Sequence, residues 1–157
     1  MNLYDCFMYF DEDLILDLRL NMLNKYVKKF IITESTYLHS GREKKLNFDP
    51  IKFSKFKDKI EYIVIDKPPD GIETISQNDS LDEKNRKILD NSLKRENNQR
   101  NMQIKGLSQA CDDDLILSSD LDEIPNLESF KFNNRITLFE QDVYYYKFNL
   151  KQPNFKW

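Results

Sequence analysis

Leu3-Tyr4-Asp5-Cys6-Phe7-Met8-Tyr9-Phe10, then Asp11-Glu12-Asp13, then apolar residues at helical spacing, then Phe30-Ile31-Ile32-Thr33-Glu34: this opening decides the fold. The first run is short, aromatic and apolar, which suits a strand. Leu14, Ile15, Leu18, Met22, Leu23, Tyr26 and Val27 recur with the period of a helix. Asp11, Glu12 and Asp13 stand at its mouth, placed to cap it and to face the positive end of its dipole. Phe30 to Glu34 reads as a second, buried strand. Strand, helix and strand follow one another at the spacing a parallel crossover needs.

Further along, Ser35 to Lys59 is polar and basic with scattered aromatics. Ile60-Glu61-Tyr62-Ile63-Val64-Ile65 is a strand, closed by the turn signal Lys67-Pro68-Pro69-Asp70-Gly71. Ser80-Leu81-Asp82-Glu83 matches a capping box, so a polar helix starts there and runs to about Ala110, with a break expected near Asn97-Asn98. Met102, Leu107 and Ala110 fall on or near one of its faces. Asp112-Asp113-Asp114 is a loop and Leu115-Ile116-Leu117-Ser118-Ser119 a short buried strand. Ile136 to Phe139 and Val143 to Phe148 read as two more strands. Alternating strands and helices, with apolar strand runs, predict an α/β fold: a mainly parallel sheet flanked by helices, over a single domain spanning residues 1–157. Asn154-Phe155-Lys156-Trp157 carries no helix, cap or polar tail, which reads as a stop inside a larger domain.

Composition narrows the chemistry. A chain of 157 residues, 39% hydrophobic and 32% charged, has the material for one core. Only 3 glycines are present, which argues against a glycine-rich phosphate loop. The net charge of −3 is not that of a nucleic-acid binder. One histidine, His39, excludes multi-histidine zinc sites and disfavours a histidine-based triad. Cys6 and Cys111 lack metal-ligand spacing and read as buried free thiols. No leader-like or membrane-spanning stretch is visible, so the expected setting is cytoplasmic.

The acidic cluster Asp120-Leu121-Asp122-Glu123 carries the chemistry. In an extended segment Asp120 and Asp122 point the same way and can share one target. They lie just past the carboxyl end of a predicted buried strand, where open α/β sheets bind ligands. Two hard carboxylates suit Mg2+ or Mn2+, with waters and phosphate oxygens completing the shell. Glu123 can ligate through water or hold the loop. Asp-x-Asp alone is weak, since about two matches are expected by chance in so acidic a chain. Asp11 to Asp13 and Asp112 to Asp114 match as well, the first more simply a cap and the second a loop before its strand. Only Asp120 to Asp122 follows a buried strand and leads into a turn fixed by Pro125.

Several stretches together resemble glycosyltransferase family 17, whose animal members add a bisecting N-acetylglucosamine to the core mannose of N-glycans. Tyr4-Asp5-Cys6-Phe7 with Asp11 to Asn21 resembles the family's opening strand and helix, and Phe30 to Ser35, followed by Gly41 and Lys45, its second strand. Glu96-Asn97-Asn98-Gln99-Arg100 is similar to the segment opening its next helix. Ser119-Asp120-Leu121-Asp122-Glu123-Ile124-Pro125 is the most specific match, and Pro68 to Leu93 the poorest.

The resemblance implies a metal-dependent fold of the GT-A type, a UDP-sugar donor (UDP-N-acetylglucosamine by analogy), a glycan acceptor and inversion at the anomeric carbon. Animal members also carry a membrane anchor and a Golgi address that nothing here matches, and the family continues past the point where this chain stops. Asp120 and Asp122 are then the metal ligands, Asp120, Arg100 and Glu34 the donor-binding residues, and Asp122 and Glu123 the candidate catalytic residues.

Each residue has a second reading. Glu34 either faces the donor or is a surface charge at a strand end. Arg100 either binds a diphosphate oxygen, for which guanidinium is suited, or is a solvated helix arginine. Arg19 reads as a partly buried structural ion pair with Asp17 or Glu34. Arg42, Lys44 and Lys45 either attract phosphate or form a solvated face, the usual meaning of such a run, and Tyr144, Tyr145 and Tyr146 are candidates for stacking on sugar, at least one of them facing the core. Candidate bases for the acceptor hydroxyl are Glu123, Glu140 and Asp142. The competing enzyme reading is a nucleotidyl- or phosphotransferase using the same carboxylate pair; the non-enzyme reading is a truncated domain that only binds a nucleotide sugar.

Overall fold

A computed structural model describes residues 1–145 and 150–156. The chain divides into two compact units, Met1–Asp122 and Glu123–Trp157. The first is built on a four-stranded, all-parallel sheet. Its strands are β1 (Leu3–Met8), β2 (Val27–Ser35), β3 (Ile60–Ile65) and β4 (Leu115–Ser118), in the spatial order β3-β2-β1-β4. Helix α1 (Asp13–Leu23) connects β1 to β2, and α2 (Leu81–Asn101) with a following 3-10 helix (Met102–Leu107) connects β3 to β4. The chain therefore winds outward from β1 on one side and returns to its other side, and the strand order reverses between β1 and β4.

The two faces of β1 explain its unbroken apolar run. Asp5 and Phe7 face α1, while Tyr4 and Cys6 pack with Ile31 against Leu107 and Ala110 on the opposite face. A strand covered on both faces has no polar side to alternate with. The approach of the 3-10 helix is close: a Cβ on Gly106 would lie 2.7 Å from Ile31 Cγ2. Gln99 of α2 donates from Nε2 to the Thr33 carbonyl at 2.9 Å, fixing that layer to β2.

Several boundaries differ from the sequence reading. Helix α1 ends at Leu23, and Val27 belongs to β2, where it pairs with Leu3. Lys59 Nζ donates to the carbonyls of Asn24 (2.5 Å) and Val27 (2.9 Å), supplying donors where the helix stops. The N-terminal carboxylates do not cap α1 in the expected way. Glu12 sits at the cap position, but its carboxylate turns back to accept from the Phe10 and Asp11 amides. Asp13 occupies the first turn, as the dipole favours, and takes Tyr9 and Lys52 as partners. Ser80 does cap α2, accepting from the Glu83 amide at 3.2 Å, and α2 runs unbroken through Asn97 and Asn98.

The segment between β2 and β3 is an aromatic strap over the α1 side of the sheet. Phe48 stacks on Phe53 (5.6 Å) and packs on Tyr62 (4.6 Å) and Tyr9 (5.9 Å). Its entry is a tight turn at Gly41, whose φ of 89° only glycine adopts without strain, and where a Cβ would meet the Arg95 guanidinium at 2.6 Å.

In the second unit, β5 (Asp142–Tyr144) pairs antiparallel with β6 (Lys151–Lys156). Ile136 to Phe139 does not form the expected strand. Ile136 and Leu138 stand exposed, and Phe139 instead packs on Phe130 at 4.9 Å. Alternation proposes a strand, but a strand also needs a partner for its amides and carbonyls. The expected strand at Val143 to Phe148 is present only as β5, its positions 146–148 lying outside the described residues.

Both cysteines are free thiols, but only Cys6 is buried; Cys111 is exposed in the loop before β4, which corrects the expectation for it. Burial pushes the Cys6 thiol up to about 12, so almost no thiolate forms near neutral pH. Titration with a thiol-reactive disulfide dye is therefore expected to modify Cys111 at once and Cys6 only in denaturant. Fast reaction of both thiols in the native protein would show that the Cys6 face of the sheet is open.

Candidate functional site

The candidate site is the turn leaving β4. Ser119 follows the strand, Leu121 and Asp122 form the turn, and Leu121 is buried while Asp122 is exposed. Asp120 and Asp122 thus stand on a turn rather than on the extended segment that the two-residue spacing suggested. Their place is the carboxyl end of β4, beside β1, where the strand order reverses. Open α/β sheets bind ligands in the crevice at such a point, because the connections leave in opposite directions and part there.

Two arginines hold the turn, one from each helical layer. Arg19 of α1 is fully buried. Its Nε and Nη2 donate to the two carboxylate oxygens of Asp5 at 2.9 and 2.7 Å. Nη2 also donates to Ser119 Oγ at 2.7 Å, and Nη1 donates to the main-chain carbonyls of Asp120 and Leu121 at 2.7 and 3.0 Å. The guanidinium lies over the Phe7 ring, 4.7 Å from its centre. The planar fork of arginine meets a carboxylate and a curved main chain at once, which a lysine ammonium could not do. The expected partners Asp17 and Glu34 are thus replaced by Asp5. An aspartate inside the apolar run Leu3 to Phe7, buried throughout, was the signal, since a charge placed there must be paired.

From the other layer, Arg100 in the last turn of α2 donates from Nη2 to Asp120 Oδ1 at 2.8 Å and to Glu96 Oε1 at 3.1 Å. It is neither deeply buried nor simply solvated: about a third of its side chain and half of that of Asp120 are exposed. The structure therefore brings together Arg100 and Asp120, two of the three residues that the resemblance implied for donor binding.

Glu34 lies elsewhere, beneath the aromatic strap. It is fully buried and accepts from the Asn47 amide (2.8 Å), the Phe48 amide (3.1 Å), the Tyr62 hydroxyl (2.8 Å) and Lys44 Nζ. The surface-charge reading of Glu34 is corrected, and so is the solvated reading of Lys44, which is drawn inward as its counter-ion. Burial, with the bond to Glu34 second, pushes the Tyr62 hydroxyl well above the usual tyrosine range and keeps it a donor.

Glu123 opens the second unit and is half-buried. In that unit Asp142 is paired with Lys151 and Lys156, each at 2.7 Å, which hold its carboxyl below the usual range and weaken it as a base; Glu140 lies 3.3 Å from Lys156. Tyr144 and Tyr145 are both exposed, and Tyr146 lies outside the described residues.

Among the described residues no group of three His, Cys, Asp or Glu side chains could hold a metal by itself. The turn carries two carboxylates, Asp120 and Asp122. That composition fits a hard divalent cation which keeps waters and takes substrate phosphates as its remaining ligands.

The family model for glycosyltransferase family 17 matches residues 1–153. The chain belongs to glycosyltransferase family 17. It is accordingly a glycosyltransferase, and the match takes in the first unit with the whole of the β4 turn and runs into the second as far as residue 153. No curated protein and no solved structure matches it. No described helix is long and apolar enough to cross a membrane.

Proposed function

We propose that this family 17 domain binds a UDP-sugar, UDP-N-acetylglucosamine by analogy with the family, in a GT-A-type site at the β1/β4 crevice. On this reading it transfers the sugar with inversion to a glycan hydroxyl. The observation that supports it is the position of Asp120 and Asp122 at the reversal of strand order, on a turn pinned from beneath by a buried arginine. Asp120 and Asp122 would hold Mg2+ or Mn2+, which when bound neutralises the diphosphate and stabilises it as a leaving group. Arg100 supplies a guanidinium beside Asp120, suited to a phosphate oxygen. Arg19 keeps the turn's carbonyls directed inward, so that the carboxylates stay outside. Glu123 remains the nearest candidate in sequence for the acceptor's base.

Calorimetric titration of UDP, UDP-N-acetylglucosamine and ATP, with and without Mn2+, tests the proposal. UDP binding is expected to require Mn2+, and Asp122→Ala to weaken it by ~100-fold, about 2.7 kcal/mol. Binding that Asp122→Ala leaves unchanged would sink the site. Preference for ATP over UDP would favour nucleotidyl transfer instead.

A further inference from the structure

The pairing of Arg100 with Asp120 bears on the order in which metal and donor arrive. We propose that Arg100 is a donor-operated latch on the metal site: it occupies Asp120 until a diphosphate draws its guanidinium away. This rests on the donor-and-metal reading of the turn given above.

Three features support it. Arg100 Nη2 stands 2.8 Å from Asp120 Oδ1, within the range of a direct charge-assisted hydrogen bond. A divalent cation approaching this carboxylate meets a guanidinium already on it, and two cations sharing one carboxylate repel each other. The pair is also only partly shielded, with 34% of the Arg100 side chain and 49% of the Asp120 side chain exposed, so exchange of partners needs no unfolding. Glu96, one helical turn before Arg100, accepts from the same nitrogen at 3.1 Å and keeps the guanidinium beside the turn as it changes partner.

A diphosphate changes the balance. Its oxygens offer Arg100 a bidentate partner and offer the cation further ligands, so Asp120 passes from one to the other. Metal alone therefore binds weakly, and nucleotide and metal bind with positive coupling. By linkage, UDP tightens Mn2+ by the same factor as Mn2+ tightens UDP.

The experiment is Mn2+ binding followed by the electron paramagnetic resonance of the free ion, with and without UDP. It is run on the whole chain and on Arg100→Gln, Arg100→Lys and Asp122→Ala. Arg100→Gln is expected to bind Mn2+ alone about fivefold more tightly and UDP in saturating Mn2+ about tenfold more weakly, so the coupling factor shrinks. Arg100→Lys keeps the positive charge and should bind Mn2+ alone no more tightly than wild type. If glutamine disturbs α2, Arg100→Met, which keeps the apolar stem, repeats the test. An Arg100→Gln or Arg100→Met chain whose Mn2+ affinity is unchanged or lower overturns the latch, because a purely structural clamp would loosen Asp120 when removed. The donor site itself stands in that case, provided Asp122→Ala still weakens Mn2+-dependent UDP binding by ~100-fold. Indifference of UDP binding to Asp122→Ala overturns the donor reading, and the latch with it.

Discussion

Arg19→Met is expected to destabilise the protein by about 3–5 kcal/mol, the usual cost of removing one partner from a buried ion pair. The Asp5 carboxylate would be left fully buried without its counter-ion, and the carbonyls of Asp120 and Leu121 would lose the bonds from Arg19. For a chain of this size the thermal midpoint should fall by roughly 10 °C or more. Urea unfolding checks the size, and a loss under about 1 kcal/mol would mean that the pair is not the clamp described here.

A second variant separates fold from site. Asp5→Leu with Arg19→Met removes both charges, and an apolar pair of similar volume often restores stability. The double variant is expected to regain most of the lost stability while Mn2+-dependent UDP binding stays impaired, because the Arg19 guanidinium no longer takes up the carbonyls of Asp120 and Leu121. Recovery of binding together with stability would show that the turn keeps its shape without Arg19.

The same residues show what the sequence made legible. The crossover from β1 to β2 could be read because both strands are buried on two faces and the helix between them carries its own period. The acidic turn could be singled out because it follows β4 and precedes Pro125. The partner of Arg19 could not be read by looking near it in the chain. It lies 14 residues back, on a strand whose apolar character hides a single aspartate. The extended geometry assumed for Asp120 to Asp122 failed for a related reason. Where a strand ends depends on what takes up its carbonyls, and here a side chain from another layer takes them. Tertiary partners likewise decided the fate of Ile136 to Phe139, whose pattern is right for a strand and whose neighbours are not.

Glu34 poses the sharpest contrast between a local and a tertiary reading, and Glu34→Ala is expected to cost about 3–5 kcal/mol. Truncation leaves the Phe48 amide, the Tyr62 hydroxyl and the Lys44 ammonium facing a cavity, under a strap whose aromatic packing depends on where the chain at Asn47 and Phe48 is held. Glu34→Gln keeps the volume but not the charge, and turns an amide group toward donors. It should cost less, about 1–3 kcal/mol. The order of the two variants in urea unfolding tests the structural role; two variants within about 0.5 kcal/mol of wild type would contradict it. A donor-binding role predicts something different from the same proteins. Well below the melting temperature, a Glu34→Gln chain that is still folded should bind UDP as wild type does if Glu34 only secures the strap. If its carboxylate meets the donor, affinity should fall without a matching loss of fold. Because the carboxylate is enclosed by the chain's own groups on β2, β3 and the strap, the first outcome is the one the packing favours.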